Sequence, residues 1–293
     1  MLGSAGGGGL PQWNCGGANA VRARAGDPAL APRSQASLAV SADGERWSLL
    51  AASPDAREQL AAFPGLHPRP GTRDVPLDTI VLANAELDHV LGLLVLREAL
   101  SFRVLSTAWV RGALLEHNAV FAPLRAAWGT TPLERPVALD AKGHLEARLF
   151  PVPGKVPGWL RDRARPHAEA CVAVRVTDTR SGRRLVWAPC VRELDEGTLA
   201  ELAAAECRFV DGTFFRRDEL ARLRPGAPDA FAMGHVPISG PGGSLALLAG
   251  MRGTTLYCHV NGTNPILDEK GEEAAAVRAA GIAIAADGQE LEL

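Results

Sequence analysis

The stretch Asn84-Ala85-Glu86-Leu87-Asp88-His89-Val90-Leu91-Gly92-Leu93 decides the reading of this chain. The apolar run Thr79-Ile80-Val81-Leu82 leads into it as a buried strand, and a helix is expected from Val90 to Leu100. Strand, polar loop and helix in that order make the local form of a metal loop written H-x-H-x-D-H. Here the frame reads N-x-E-x-D-H. Asp88 and His89 keep the half that serves one metal position, while Asn84 and Glu86 stand where the imidazoles of the other would be. A second tight metal therefore loses its ligands, and ordinary two-metal hydrolysis loses its support.

The bounds around this loop are those of one α/β domain spanning residues 1–293. A chain of 293 residues with 47% hydrophobic content buries a large core. A net charge of -2, from 31 basic and 33 acidic residues, leaves no footprint for nucleic acid and no basic patch for a membrane. Apolar runs such as Val90 to Val95 fall far short of the ~20 residues a bilayer demands. The start Met1-Leu2-Gly3-Ser4 lacks the charged and apolar regions of a signal peptide, so a cytoplasmic protein is expected. Cys15, Cys171, Cys190, Cys207 and Cys258 are widely spaced without a C-x-x-C pair. They read as reduced thiols, several in core strands.

Short β segments alternate with helices along the rest. Ser37–Ser41 and Trp47–Ala51 flank Asp43-Gly44 as a hairpin, and Ala56–Phe63 is a helix opened by Ser53-Pro54-Asp55. A strand is expected over Phe102–Ser106, then a helix from Trp109 into His117 with Asn118 as its cap. Val137–Phe150 folds as a hairpin about Ala141-Lys142-Gly143, Pro151–Pro166 is an irregular loop, and Cys171–Val176 pairs with Arg184–Ala188. A helix over Glu196–Ala205, a strand over Arg208–Val210, a helix over Leu245–Ala249 and a strand over Thr255–His259 follow. The tail adds a helix over Glu272–Ala280 and a strand pair about Asp287-Gly288. Hairpins interleaved with helices imply two packed sheets with helices outside, a four-layered αββα sandwich.

The polar residues at strand ends each have a plainer reading. Asp88 and His89 can be a helix cap and a first-turn residue. Asp211 in Asp211-Gly212-Thr213-Phe214 is explained by turn chemistry, and His259 before Asn261-Gly262-Thr263-Asn264-Pro265 by a rim position. His235 lies in the Gly/Pro-rich loop Met233–Gly240. Their repetition at strand ends favours a site, because strand ends of one layered fold converge on one edge. His67, His117, His144 and His167 sit in polar contexts and read as exposed, with His167 a weaker ligand candidate. Gly6-Gly7-Gly8-Gly9 lacks the Lys-Ser/Thr of a phosphate loop and reads as backbone needing close approach to the site. Arg33-Ser34-Gln35-Ala36-Ser37 and Pro153-Gly154-Lys155 are candidate contacts to substrate carboxylates, with solvated loop residues the plainer reading of each.

The segments Leu2–Gly8, Pro11-Gln12-Trp13-Asn14-Cys15, Ala52–Asp55, the N-x-E-x-D-H loop, Asp211–Phe214, Met233-Gly234-His235 and His259–Pro265 together resemble the coenzyme PQQ synthesis protein B family over essentially the whole chain. The resemblance implies a metallo-β-lactamase fold, a role in biosynthesis of pyrroloquinoline quinone, and a precursor built from a glutamate and a tyrosine. Two activities attach to that family: iron-dependent hydroxylation of the tyrosine ring, and carriage of the product or its precursor toward the periplasm. The residues favour the first. His89, His259 and one carboxylate, Asp88 or Asp211, make the two-histidine, one-carboxylate set that suits non-heme Fe(II), with Zn the other metal to consider. Metal-dependent hydrolysis is a third reading. In this scheme Glu86 orients a ligand histidine, and His235 serves as acid/base or substrate contact. The expected partners are a small-molecule or peptide-derived precursor, other proteins of the same biosynthesis, and a second copy of the chain as a homodimer.

Two departures from that family stand out. A C-x-C-x-x-C run that holds a structural zinc is replaced by Cys15-Gly16-Gly17-Ala18-Asn19-Ala20, so no structural zinc is expected and the loop from Asn14 to Pro32 is expected to be mobile. The chain also starts directly at Met1-Leu2, which predicts an unpaired sheet edge.

Overall fold

The computed structural model describes residues 1–98, 102–116, 119–124 and 126–293. Two sheets form its centre. The first is five-stranded in the order β1-β2-β3-β4-β5, comprising β1 (Leu38–Val40), β2 (Trp47–Leu50), β3 (Leu77–Val81), β4 (Arg103–Ser106) and β5 (Ala127–Thr130). β1 and β2 make the expected antiparallel hairpin, and β2 to β5 run parallel. The second is seven-stranded in the order β12-β11-β10-β9-β8-β7-β6, comprising β6 (Val137–Ala138), β7 (Leu145–Pro151), β8 (Val172–Asp178), β9 (Arg184–Ala188), β10 (Cys207–Asp211), β11 (Thr254–Cys258) and β12 (Ile282–Ile284). Its first half is antiparallel, and β9 to β12 are parallel.

The pleat sorts neighbouring residues into three cores, which is the physical content of a four-layered sandwich. Leu50, Val81 and Leu105 of the first sheet meet Leu149, Val174, Trp187, Phe209 and Leu256 of the second between the sheets. One residue earlier in each first-sheet strand, Leu49, Ile80 and Val104 face outward onto Val90, Leu93, Val110 and Leu114. On the far side Val186, Val210 and Tyr257 face outward onto Leu202, Leu248 and Val277. Strands buried on both faces carry adjacent apolar residues, as Phe209-Val210 and Leu256-Tyr257 do. Each fully buried large side chain contributes about 1.5–3 kcal/mol.

The helices are α1 (Ala18–Arg24), α2 (Ala56–Ala62), α3 (Leu87–Val90), α4 (Gly92–Val95), α5 (Ala108–Leu115), α6 (Glu196–Ala203), α7 (Glu219–Leu223), α8 (Ser244–Leu248) and α9 (Glu272–Ala279). Several differ from expectation. The helix placed at Val90–Leu100 starts three residues earlier and breaks at Leu91 into α3 and α4; its expected end at residues 99–100 lies outside the described residues, as do His117 and the Asn118 cap. Strand β5 was not foreseen. The tail forms β12 alone rather than a strand pair, and Asp287 instead accepts hydrogen bonds from the backbone and hydroxyls of Ser4 and Ser34.

The segment 14–32 is anchored after all. Within it α1 buries Ala20 and Ala23, Arg22 pairs with Asp27 and Asp268 at 2.7 and 2.5 Å, and Asn19 donates to the Asn264 carbonyl. The edge beside β1 is likewise covered, since Gly3 bridges Ser37 and the Leu2 amide donates to the Ser37 carbonyl at 2.9 Å.

Candidate functional site

The parallel strands β3, β9, β10 and β11 all end at one edge, where the two sheets touch. There Asn84 bridges Cys171 and the Val172 amide donates to the Ala83 carbonyl at 3.0 Å. Each strand end delivers polar side chains: β3 leads to Asp88 and His89, β9 to Cys190, β10 to Asp211 and Thr213, and β11 to His259. The loop after α7 adds His235. His89 and Asp211 are fully buried, and His235 and His259 nearly so.

Asp88 sits inside α3 rather than at its cap; the cap position belongs to Glu86, which makes no side-chain capping bond. Its carboxylate is thereby free to reach His259, with Oδ2 3.0 Å from Nε2. The His259 backbone has φ of 56°, a left-handed turn off the end of β11. The rings of His89 and His259 meet edge to face at 5.2 Å, and His235 stacks on His259 at 5.3 Å.

Burial drives the electrostatics. It pushes the His89 imidazole down to about 4, against the opposing charge of Asp88. Burial would also lower His259, but the Asp88 hydrogen bond and charge outweigh it and the net direction is upward. Burial alone would raise Asp88, yet the neighbouring His89 and the bond from His259 hold it well below the usual carboxylate range.

Among the described residues two donor groups result, each with its ligand atoms within 4.8 Å of one another: His89 with Cys190 and His259, and Asp211 with His235 and His259. They differ in how far they are already satisfied. Asp211 Oδ1 accepts from the amide and hydroxyl of Thr213 at 3.0 and 2.7 Å, and Oδ2 from the Val191 amide at 2.8 Å and His235 Nδ1 at 2.7 Å. Its acceptor positions are used up in organising the loop and His235. The Thr213 hydroxyl also lies 3.0 Å from His235 Nδ1 and 2.8 Å from His259 Nδ1. His89 is the opposite case: among the described residues its Nδ1 has no hydrogen-bond partner, and its Nε2 has only the Cys190 sulphur at 4.0 Å. Leaving such a buried polar ring unpaired costs about 1–3 kcal/mol, which a bound ion removes.

The site opens into a cavity of about 510 Å³ walled by Trp159, Phe214, Met233, Leu87 and Leu91, with Asp88, His235 and His259 at its floor. Glu86 and Lys155 face each other across it, Nζ to Oε1 3.6 Å, and burial raises the Glu86 carboxyl. No hydrogen bond joins Glu86 to a histidine among the described residues, so the expected orienting role falls to Asp211 and Thr213 instead. Gly6 and Gly7 run against the floor: a Cβ on Gly6 would lie 3.3 Å from the His259 ring, and one on Gly7 3.2 Å from Asp88 Oδ2. The close approach expected of the glycine run is present.

Other expected residues lie elsewhere. His67 and His167 are exposed, His167 accepting from the Glu169 amide, whereas His144 is half-buried rather than exposed. Gln35 and Lys155 line the cavity. Arg33 does not; it is buried and donates to Ser4 Oγ and the Ala285 carbonyl. Cys190 and Thr213 were missed. The only sequence signal for either was its place just beyond a strand end, at Ala188-Pro189-Cys190 and Asp211-Gly212-Thr213.

The β-lactamase superfamily domain matches residues 46–259. Coenzyme PQQ synthesis protein B of Methylobacterium nodulans is 43% identical over 300 residues, covering 100% of this chain and 99% of that protein. The protein of that name from Azotobacter vinelandii is 39% identical over 298 residues, with the same coverage. The crystal structure of Zn(2+)-bound PqqB from Methylobacterium extorquens matches at a TM-score of 0.94 and 39% identity, over 100% of this chain and 98% of that one. A diphosphatase of the PhnP family shares the fold at a TM-score of 0.68 and 19% identity, over 100% and 96%.

Proposed function

This chain belongs to the coenzyme PQQ synthesis protein B family of the β-lactamase superfamily, and from that premise we propose that it is an Fe(II)-dependent oxygenase hydroxylating the tyrosine-derived ring of a PQQ precursor. The observation that carries the reading is the donor set. Two buried imidazoles, His89 and His259, share one candidate metal group, and the Asp88 carboxylate lies 3.0 Å from His259 Nε2, while Asn84 and Glu86 supply no imidazoles for a second. Two histidines and a carboxylate are the ligand type of non-heme iron. The buried His89 Nδ1, without a hydrogen-bond partner among the described residues, supports a metal there, and the zinc held by the Methylobacterium extorquens protein supports a divalent one.

Bound Fe(II) would supply the redox chemistry with dioxygen. Ring hydroxylation places one oxygen atom in a C–O bond and reduces the other to water, so a co-reductant provides two electrons and two protons. The protein's part is positioning and proton handling. Asp211 takes the Nδ1 proton side of His235, leaving Nε2 as the free base or acid toward the cavity. Trp159 and Phe214 give the substrate ring apolar walls, and Lys155 offers a cation to a substrate carboxylate.

The test is oxygen uptake by iron-loaded protein supplied with reductant and a tyrosine-containing precursor, either a peptide or a small Glu/Tyr-derived molecule. Consumption coupled to a hydroxylated ring, lost in Asp88→Ala and His259→Ala, is expected. Tight PQQ binding without oxygen uptake, unaffected by those substitutions, would leave a carrier instead. Two metals per chain with esterase activity would leave a hydrolase.

A further inference from the structure

Resting on the reading that this site holds a divalent metal, we propose that Cys190 is one of the ligands, so that the ion is held by imidazole nitrogen, carboxylate oxygen and thiolate sulphur together. Cys190 Sγ lies 4.0 Å from Nε2 of His89 and 4.0 Å from Nε2 of His259. All three residues are buried. The sulphur is the only neighbour of His89 Nε2 within hydrogen-bonding range among the described residues, and His89 Nδ1 has none. A fully buried imidazole aimed at a thiol, with neither nitrogen otherwise engaged, is a geometry a shared ion satisfies and a plain core does not explain.

The backbone holds the thiol in place. Strand β9 ends at Ala188, and Pro189 has no amide to continue the ladder. The next amide, Val191, donates to Asp211 Oδ2 at 2.8 Å, which pins the Cys190 peptide over the site. The second thiol on the cavity wall is otherwise occupied: Cys171 Sγ donates to the Cys190 carbonyl at 3.3 Å. Ligation breaks the S–H bond of Cys190, the proton leaves to solvent, and the sulphur lone pair forms the bond to the ion with no change of oxidation state. A thiolate in the set shifts the site's preference toward softer, thiophilic ions and gives it a spectroscopic signature.

The experiment uses metal-depleted full-length protein, purified anaerobically and loaded with Co(II) alone. Sulphur-to-cobalt charge-transfer absorption in the near ultraviolet is expected in the wild type. It should survive in Cys171→Ser and vanish in Cys190→Ser, whose Co(II) affinity should fall by roughly 10- to 100-fold or more. If Cys190→Ser does not fold, X-ray absorption on Zn(II)-loaded wild type must show one sulphur neighbour. Bound cobalt without the band, a band that persists in Cys190→Ser, or a sulphur-free zinc shell overturns the proposal. These readouts register ligation and not turnover, so failure of the oxygenase reading leaves them intact, and their failure leaves that reading intact.

Discussion

His259 Nε2 and Asp88 Oδ2 face each other at 3.0 Å, the spacing of a hydrogen bond from ring to carboxylate. The Thr213 hydroxyl, which donates to Asp211 Oδ1, has lone pairs to accept from His259 Nδ1. An acceptor on each side favours the protonated ring, in keeping with the upward direction of its pKa. A divalent ion held by His259 Nε2 would compete with a proton at that nitrogen.

Metal binding should therefore be coupled to pH. Below the raised pKa of His259 the proton competes with the ion, so affinity is expected to climb roughly tenfold per pH unit until that pKa is passed. Asp88→Asn removes the group that raises it, so its affinity should level off at a lower pH and at a weaker value. Zinc titrations by calorimetry across pH read both; a wild-type affinity independent of pH would refute the competition.

Thr213 is expected to matter through its hydroxyl. Thr213→Val keeps the shape and deletes the acceptor that fixes Nδ1–H on His259, so metal affinity should fall by roughly 10- to 100-fold. Thr213→Ser should restore most of it. Equal loss in both variants would mean that packing, not the hydroxyl, is what the residue provides.

Glu219 gives a pH dependence of stability away from the ion. Burial pushes its carboxyl up to about 7, although Oε2 accepts from the Phe215 amide at 2.6 Å and Oε1 from the Thr263 hydroxyl at 2.7 Å. A carboxyl raised from 4.5 to about 7 on folding stabilises the protein fully below 4.5. That contribution is lost as the pH rises to about 7, because the folded state then gives up a proton it held more tightly. Glu219→Gln escapes the loss. Its melting temperature relative to wild type should rise by a few degrees between pH 5 and pH 8; a constant difference across that range would show that Glu219 is ionised throughout.

The fold was legible where the pleat writes itself into the sequence. Runs such as Phe209-Val210 and Leu256-Tyr257 announce strands buried on both faces, and hairpin turns such as Asp43-Gly44 mark their returns. Strand β5 was not legible because Ala127, Gly129 and Thr130 are exposed on an edge and carry no alternating pattern. Helix α1 was missed because Gly17 offers no side-chain cap and its anchors, Asp268 and Asn264, are distant in sequence. Within the site, the metal loop identified Asp88 and His89. Asp211, His235 and His259 were suggested by turns after apolar strands. Their pairing was not readable, because which strand ends meet is set by crossovers that no local pattern records. That is also why Glu86 passed for a partner of histidine.

The left-handed backbone at His259 sets the site against the molecule that carries it. Any residue with a Cβ pays conformational energy at φ of 56°, of order 1–3 kcal/mol, and glycine there would relax it. The same residue buries a ring set between a carboxylate and a hydroxyl. A chain selected only for robustness would replace His259, so its presence marks a trade in which melting temperature yields to chemistry.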